Sequence, residues 1–382
     1  MYLFVSIGGC VLAIVTMGGY CVLLFTSCFV FILLVCSLDP RCIHAWTFSI
    51  QMLWQTFWHL FIQYKEYYQR EPVDIRLFLA VSSLMLLTQR ITSVSMDLEE
   101  KSVILPWNAS SRRRACVMLL PLFSYTLSFT TLLGSPLCSY SRFVSLMEEI
   151  SLSPPPSPLC VVLLKQVQVL LLEWVRCCLI CFLKHNAHDD ILWIWCFALL
   201  FRIQYYSHWK ISEGLNNAAG LGFQENSSGD SAEWRGLSDG DFWSTEASSR
   251  ISEFTRRWNK TTALWLRRLV YKRCKHFLLF MSFSFSLWWH GLHLGHFVGF
   301  LTWAGTVKAD YHTHRYVCSK SKPTWRKLYT FLSWINTQMI VTCIVITVEL
   351  RNMTGLRLLS STVIGVFPLV NLILLFILLK VK

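Results

Sequence analysis

The stretch YLFVSIGGCVLAIVTMGGYCVLLFTSCFVFILLVCS, residues 2–37, carries no Asp, Glu, Lys or Arg. As one helix rising 1.5 Å per residue it would run about 54 Å, well beyond the ~30 Å hydrocarbon core of a bilayer. Gly18 and Gly19 offer a break near its middle, so the stretch predicts two membrane spans rather than one. The rest of the chain agrees with this reading. Hydrophobic residues make up 54% of the 382, and charged residues only 15%, against about 25% in a typical soluble domain.

Further apolar runs cover 43–62, 77–98, 116–138, 160–183, 191–206, 276–305, 330–350 and 359–380. Some contain polar residues and fit re-entrant or partly buried helices. The expected fold class is all-α: a polytopic membrane protein of about ten transmembrane or re-entrant helices. The expected organisation is a single membrane domain over 1–382, with no internal repeat. Two segments within it differ in character. Residues 225–250, ENSSGDSAEWRGLSDGDFWSTEASSR, are polar and rich in Ser, Gly and Asp, which predicts a flexible loop. Residues 250–275 are basic and amphipathic. The N-terminus has no basic n-region and no clear cleavage site, which predicts no cleaved signal peptide.

The net charge of +13 concentrates in three places: Arg112–Arg114, the stretch RYVCSKSKPTWRKL (315–328), and above all 250–275. Short basic loops favour the cytosolic side, so 250–275 is expected there. A basic protein raises nucleic-acid binding as a class, but the chain offers no soluble module to carry it. The 15 cysteines are scattered mostly through apolar runs and read as small buried hydrophobes. Cys178 and Cys181 form a lone C-x-x-C with no second pair to complete a zinc site. The sequons at Asn108, Asn226, Asn259 and Asn352 are weak hints, since glycosylation also needs lumenal exposure. His185 and Asp190 have the H-x4-D spacing of soluble-type glycerolipid acyltransferases, but in a short polar loop. His290, His293 and His296 recur every third residue, yet positions i and i+6 drift off one helix face, and no metal is expected.

The stretch SLWWHGLHLG, 286–295, places an ionisable side chain, His290, at apparent membrane depth. Such residues are costly and are functional candidates by default. One reading is a neutral histidine hydrogen-bonded to a neighbouring helix. The other is a general base, because burial disfavours the charged imidazole and leaves a form able to take a hydroxyl proton. Trp288, Trp289 and Trp303 would supply an apolar, water-poor wall. Upstream, SEFTRRWNKTTALWLRRLVYKR (252–273) interleaves Trp258, Leu264, Trp265 and Leu269 with Arg256, Arg257, Arg267, Arg268, Lys272 and Arg273. It fits either an interfacial segment on anionic headgroups or a phosphate site for a polyanionic cosubstrate such as coenzyme A. At its centre, 31 residues before His290, Asn259 carries an amide able to donate to a developing oxyanion.

RRWN (256–259) followed by SLWWHGLHLG (286–295) resembles the two signature blocks of the membrane-bound O-acyltransferase (MBOAT) family. RIQYYSHWKISEGLNNAAGLGF (202–223) and LTQRITSVSMDLEE (87–100) resemble two earlier blocks, so the resemblance runs nearly end to end. MLWQTFWHLFIQYKEYY (52–68), SSLMLLTQRITSVSMD (82–97), TALWLRRLV (262–270), WWHGLHLGHFVGF (288–300), ADYHTH (309–314) and VFPLVNLILL (366–375) are similar to the branch that acylates the peptide hormone ghrelin. That branch starts further upstream, which makes a shortened N-terminus the expectation here.

What the resemblance implies is transfer of a medium-chain acyl group, typically octanoyl, from acyl-CoA to a ghrelin serine hydroxyl. The setting would be a multi-pass protein of the endoplasmic reticulum membrane, with a reaction tunnel among the helices, membrane lipids around it and no metal. It further implies catalytic roles for His290 and Asn259. Arg256, Arg257, Trp258, Arg267, Arg268, Trp289 and Trp303 are substrate-contact candidates, with Arg256 facing either CoA phosphates or the acyl pocket. The alternatives are a lysophospholipid O-acyltransferase of the same family, or a non-enzymatic transporter or receptor. A transporter favours repeated halves, which are not seen.

Overall fold

A computed structural model describes residues 1–380 apart from 102–111, 135, 153–154, 187–190, 225–233, 235, 272, 274–276 and 321–322; side chains at 112–118, 318–320 and 323–324 are also outside the description. Asn108, Asn226, Asp190 and Lys272, and the side chains of Arg112–Arg114, therefore lie outside the described residues. The described chain is all-helical. Five of its segments are long and apolar enough to cross a bilayer: Tyr2–Ser37, Ile75–Glu99, Leu159–His185, Trp325–Leu350 and Val363–Lys380. The chain divides into two compact units, Met1–Gln166 with Trp209–Ser238, and Val167–His208 with Asp239–Lys382.

In the first unit, α1 (Tyr2–Met17) and α2 (Val22–Ser37) are separated by a tight turn at Gly18–Cys21. Gly18 sits at φ +57, a left-handed value that glycine adopts without steric cost. α3 (Pro40–Gln63) starts where Asp39 accepts from the Arg41 amide and Pro40 fills the first helical position. α4 (Ile75–Glu99) is the central helix. Of its most apolar stretch 72% is buried, against 11% for α7 (Leu159–His185), which presents its side chains outward.

The burial of α4 accounts for its sequence. Thr88, Gln89, Arg90, Thr92, Ser93, Ser95 and Asp97 all point inward, as polar groups in a membrane bundle must. His44 Nδ1 and Ser95 Oγ are 2.9 Å apart, and Gln51 and Gln55 of α3 meet Thr88 at 3.1 and 2.7 Å. Where lipid surrounds a bundle, packing and such interhelical hydrogen bonds replace the hydrophobic drive available in water.

Arg90, 1% exposed, reaches the backbone that follows α5 (Arg112–Thr126). Its guanidinium donates to Thr126 O at 2.9 Å and Thr131 O at 2.7 Å. This contact explains a departure from the expected span at 116–138. The helix stops at Thr126, and 127–134 and 136–139 run irregularly through Ser, Thr, Gly and Pro positions. The last carbonyls of a helix lack an intrahelical partner, and Arg90 supplies one. α6 (Tyr140–Leu152) follows and packs Tyr140, Phe143, Leu146 and Met147 into the same core.

The second unit contains most of α7, the first part of α8 (Ile191–Ala218), and all helices from α9 (Phe242–Glu246) onward. α8 outruns the apolar reading of 191–206. Its polar continuation stays helical because Lys210, Glu213, Asn216 and Asn217 are buried rather than solvated. α10 (Ile251–Arg257) and α11 (Lys260–Leu266) are short, and residues Arg267–Tyr271 extend α11 as a wider π-type turn. The single span expected at 276–305 is broken. α12 (Leu278–His290) ends at Gly291, φ 108, and α13 begins at Leu294 and runs to Lys320. α14 (Pro323–Leu350), the short α15 (Met353–Ser360) and α16 (Val366–Lys380) complete the chain.

α13 is the hub of this unit, against α10, α12, α14 and α16. Gly295 permits the contact with α14, since a Cβ there would lie 2.1 Å from Thr347 O. The polar run 225–250 departs from a loop where it is described. Residues 242–246 are helical, Gly236 N donates to Gly222 O at 3.1 Å, and Asp239 is fully buried. Cys177, Cys178 and Cys181 are exposed on α7, not buried as expected, because that helix turns few residues inward.

Replacing Arg90 by Met keeps an apolar stem and removes every donor. The carbonyls of Thr126 and Thr131 are then left buried and unpaired, at about 1–3 kcal/mol. The expected outcome is a lowered melting temperature for the detergent-purified protein, read by a thermal-shift assay. An unchanged melting temperature would mean that water reaches these carbonyls.

Candidate active site

Asn259 stands between α10 and α11 in a left-handed conformation, φ 46 and ψ 63, which Asn tolerates better than most residues. Its side chain caps α11: Oδ1 accepts from the Thr262 amide at 3.3 Å. A backbone N–H only donates, so this bond fixes which end of the carboxamide is the oxygen. The NH2 end, with two donors, is left for another partner. The first two amides of α11 are taken by Asp239. Its carbonyl accepts from Lys260 N at 2.9 Å and its carboxylate from Thr261 N at 3.0 Å.

His290 is the last residue of α12. Its ring lies over Phe300, with centroids 5.2 Å apart and planes at 25°, and meets Trp289 edge-on at 4.8 Å. The break after it is pinned from the far side. His296 Nδ1 lies 2.8 Å from Gly291 O. A carbonyl cannot donate, so Nδ1 carries the hydrogen and His296 is held in one orientation. The ring centroids of His290 and His296 are 6.2 Å apart.

Two aromatic ties join the Asn259 turn to the His290 break. Before Asn259, Thr255 Oγ1 accepts from Trp303 Nε1 at 2.7 Å, and Trp303 stacks on Phe300, which stacks on His290. After Asn259, Trp265 packs against Trp289 at 5.1 Å. Among the described contacts Asn259 pairs with Thr262 rather than with His290. The two polar groups are thus carried on separate backbone breaks, held in one unit by aromatic contacts.

The remaining expected contact residues sort by burial. Arg257 is held within the protein, by Glu253 at 2.6 Å and by Ser244 O. Trp258 is wedged among Phe254, Tyr205 and Tyr206, with centroids 5.5, 5.6 and 5.5 Å away, and Trp289 is 3% exposed. Arg256 and Arg267 are exposed, as is Lys260, which the sequence reading did not single out, and none of the three forms an ion pair among the described residues. Arg268 is half-buried and Trp303 half-buried.

The spaced histidines do not assemble a ligand set. His293 and His296 are both buried, and among the described residues no three His, Cys, Asp or Glu side chains are placed to hold a metal ion. His185 lies exposed with Nδ1 against Cys181 O at 2.7 Å. Sequence reading missed Asp239 and His296 as supports. Both act through backbone groups, and nothing in their local spacing announces it.

The profile of the membrane-bound O-acyltransferase family, MBOAT, matches residues 9–350. The chain belongs to that family. Over its whole length it is 41% identical to the mouse membrane-bound ghrelin O-acyltransferase MBOAT4 and 39% identical to the rat protein, covering 90% of each. It is 26% identical to the human membrane-bound glycerophospholipid O-acyltransferase 2, across 69% of this chain and 57% of that one. As a family member the chain is a multi-pass membrane acyltransferase, and both Asn259 and His290 fall within the matched region.

The sequon at Asn259 lies in the basic 250–275 segment, for which the positive-inside bias predicts the cytosolic side. Asn259 is expected to stay unmodified, with no mass shift in its peptide after deglycosylation in heavy-oxygen water. A glycan on Asn259 would contradict a cytosolic 250–275 segment.

Proposed function

We propose that the protein transfers an octanoyl or similar medium-chain group from acyl-CoA to a serine hydroxyl of ghrelin, in the endoplasmic reticulum membrane. The support is the whole-length similarity of 39–41% to proteins named ghrelin O-acyltransferases, against 26% over part of the chain for a glycerophospholipid acyltransferase. The observation that carries the chemistry is the pair of backbone breaks within one unit: Asn259 at the start of α11, its Oδ1 fixed on the Thr262 amide, and His290 at the end of α12, tied together through Trp303 and Trp265.

The reaction follows from these groups. The serine Oγ attacks the thioester carbonyl carbon while His290 takes the hydroxyl proton. The carbonyl oxygen becomes an oxyanion, and the Asn259 NH2 donates to it. The C–S bond then breaks, the proton on His290 passes to the departing CoA sulfur, and the products are the serine ester and CoA thiol. A general base is worth roughly 10²–10⁴ in rate and one oxyanion donor roughly 10²–10³. A thioester needs no further activation.

Arg256, Lys260 and Arg267 are the exposed cations for CoA phosphates, with half-buried Arg268 beside them. Arg257 supports the fold instead. Trp289 and Trp303 form the dry wall. This role places 250–275 on the cytosolic side, where acyl-CoA is found, with membrane lipid around the spans. The competing reading within the family is a lysophospholipid acceptor.

The test supplies octanoyl-CoA with either ghrelin peptide or lysophospholipid to the membrane-embedded protein. Octanoyl-peptide is the expected product, and lysophospholipid acylation alone would reassign the acceptor. His290→Ala is expected to fold with near-normal melting temperature, and Asn259→Ala, which also loses the α11 cap worth about 1 kcal/mol, with a modestly lowered one; each is expected to lose at least about 100-fold in turnover. The double variant should lose far less than the product of the two, because groups serving one transition state act as a unit. Wild-type turnover in either single variant refutes its assignment.

A further inference from the structure

We infer that Asp239, 20 residues upstream in the polar stretch, is the positioning residue for Asn259. The inference rests on the proposed role of Asn259 and goes beyond it. Asp239 is 0% exposed, an unusual place for a carboxylate unless its oxygens are matched by donors. One of them is matched at the start of α11. Oδ1 accepts from the Thr261 amide at 3.0 Å and from the Thr261 hydroxyl at 2.5 Å, and the Asp239 carbonyl accepts from the Lys260 amide at 2.9 Å.

The consequence lies in the backbone of Asn259. Its left-handed conformation is one that Asn tolerates but does not prefer to the right-handed helix, so contacts on the residues that follow help to hold the turn. Lys260 and Thr261, the two residues that follow, are the ones Asp239 holds. The third amide, Thr262 N, is held by Asn259 itself. If the Asp239 contact to Thr261 is lost, the first turn of α11 is free to rewind, and the Thr262 amide no longer orients the Asn259 carboxamide. Its NH2 then ceases to point where the oxyanion forms. A displacement of about 1 Å in a catalytic group is enough to cost roughly 100-fold in rate.

An acid, not an amide, suits this place. One oxygen serves two donors, and a charged acceptor makes the stronger hydrogen bonds. Asp239→Asn keeps an acceptor oxygen but loses the charge. Asp239→Ala loses both side-chain bonds and leaves the Thr261 amide unpaired. Thr261→Val removes only the hydroxyl and leaves Asp239 in place, a milder probe where the alanine variant folds poorly. Thr261→Ser restores the hydroxyl.

The experiment measures octanoyl transfer with purified full-length protein, together with melting temperature and hydrogen exchange of the peptide covering 258–264. Asp239→Asn and Thr261→Val are expected to lower kcat about 10-fold and Asp239→Ala about 100-fold. The KM for octanoyl-CoA should be unchanged, exchange at 258–264 faster, and Thr261→Ser near wild type. In an Asn259→Ala background the Asp239 changes should subtract nothing more, because the group they position is gone. Wild-type kcat in Asp239→Asn and Thr261→Val beside an inactive Asn259→Ala would overturn the inference and leave the role of Asn259 standing. An active Asn259→Ala would instead sink the catalytic role of Asn259, and slower or unchanged exchange at 258–264 in Asp239→Ala would show that Asp239 does not hold this turn at all.

Discussion

A backbone amide or carbonyl inside a bilayer has no water to bond to, and each one left unpaired costs several kcal/mol. A helix satisfies its own interior groups but not those at its ends. An interruption of a helix in such a chain therefore calls for a partner, and at three of the described breaks a buried side chain supplies one. Arg90 answers the carbonyls after α5, Asp239 the amides that open α11, and His296 the Gly291 carbonyl at the end of α12. These three polar side chains are each buried to 5% exposure or less.

The same constraint explains why the candidate site sits where it does. A side chain in the middle of a spanning helix projects sideways toward lipid or a neighbouring helix. At a break, the backbone turns away from the helix axis and can aim the terminal side chain in a direction the helix interior does not offer. His290 ends one helix and Asn259 begins another. The support residues make those breaks tolerable. The aromatic contacts of Trp303 with Thr255, and of Trp265 with Trp289, then fix one break against the other.

The two candidate residues and the helical class are both legible in the sequence, because both depend on local information. A polar side chain in an apolar run is conspicuous, and runs near 20 residues announce spans. The helix ends are less legible. Gly291 reads as one glycine in a long apolar run, and only the hydrogen bond from His296 and the tight approach at Gly295 show that the chain breaks there. Residues 127–138 look apolar enough to continue a span, and the guanidinium that lets them leave the helix is supplied from Arg90, 36 residues away from Thr126. Asp239 is harder still. In a run of Ser, Gly and Asp, a buried acid has the same local signature as a solvated one, and its partners come from 260 and 261.

Charge placement separates fold from ligand in the same way. Arg202, fully buried, meets Glu246 at 2.8 Å, and that carboxylate also takes the Tyr206 hydroxyl at 2.9 Å. Arg250 grips Asp310 at 3.0 Å, tying the start of α10 to α13. Arginines paired in this way hold elements together, since breaking a buried pair leaves an uncompensated charge. Arg256, Lys260 and Arg267 have no such partner among the described residues and are exposed near the Asn259 turn. An unpaired cation in contact with solvent adds nothing to the fold, whereas beside a polyanionic cosubstrate it raises local concentration and orients the phosphates. The division runs through RRWN itself: Arg257 turns inward to Glu253 while its neighbour Arg256 faces out. One helical residue thus separates a paired arginine from an exposed one, and a reading by residue type alone would give both the same role.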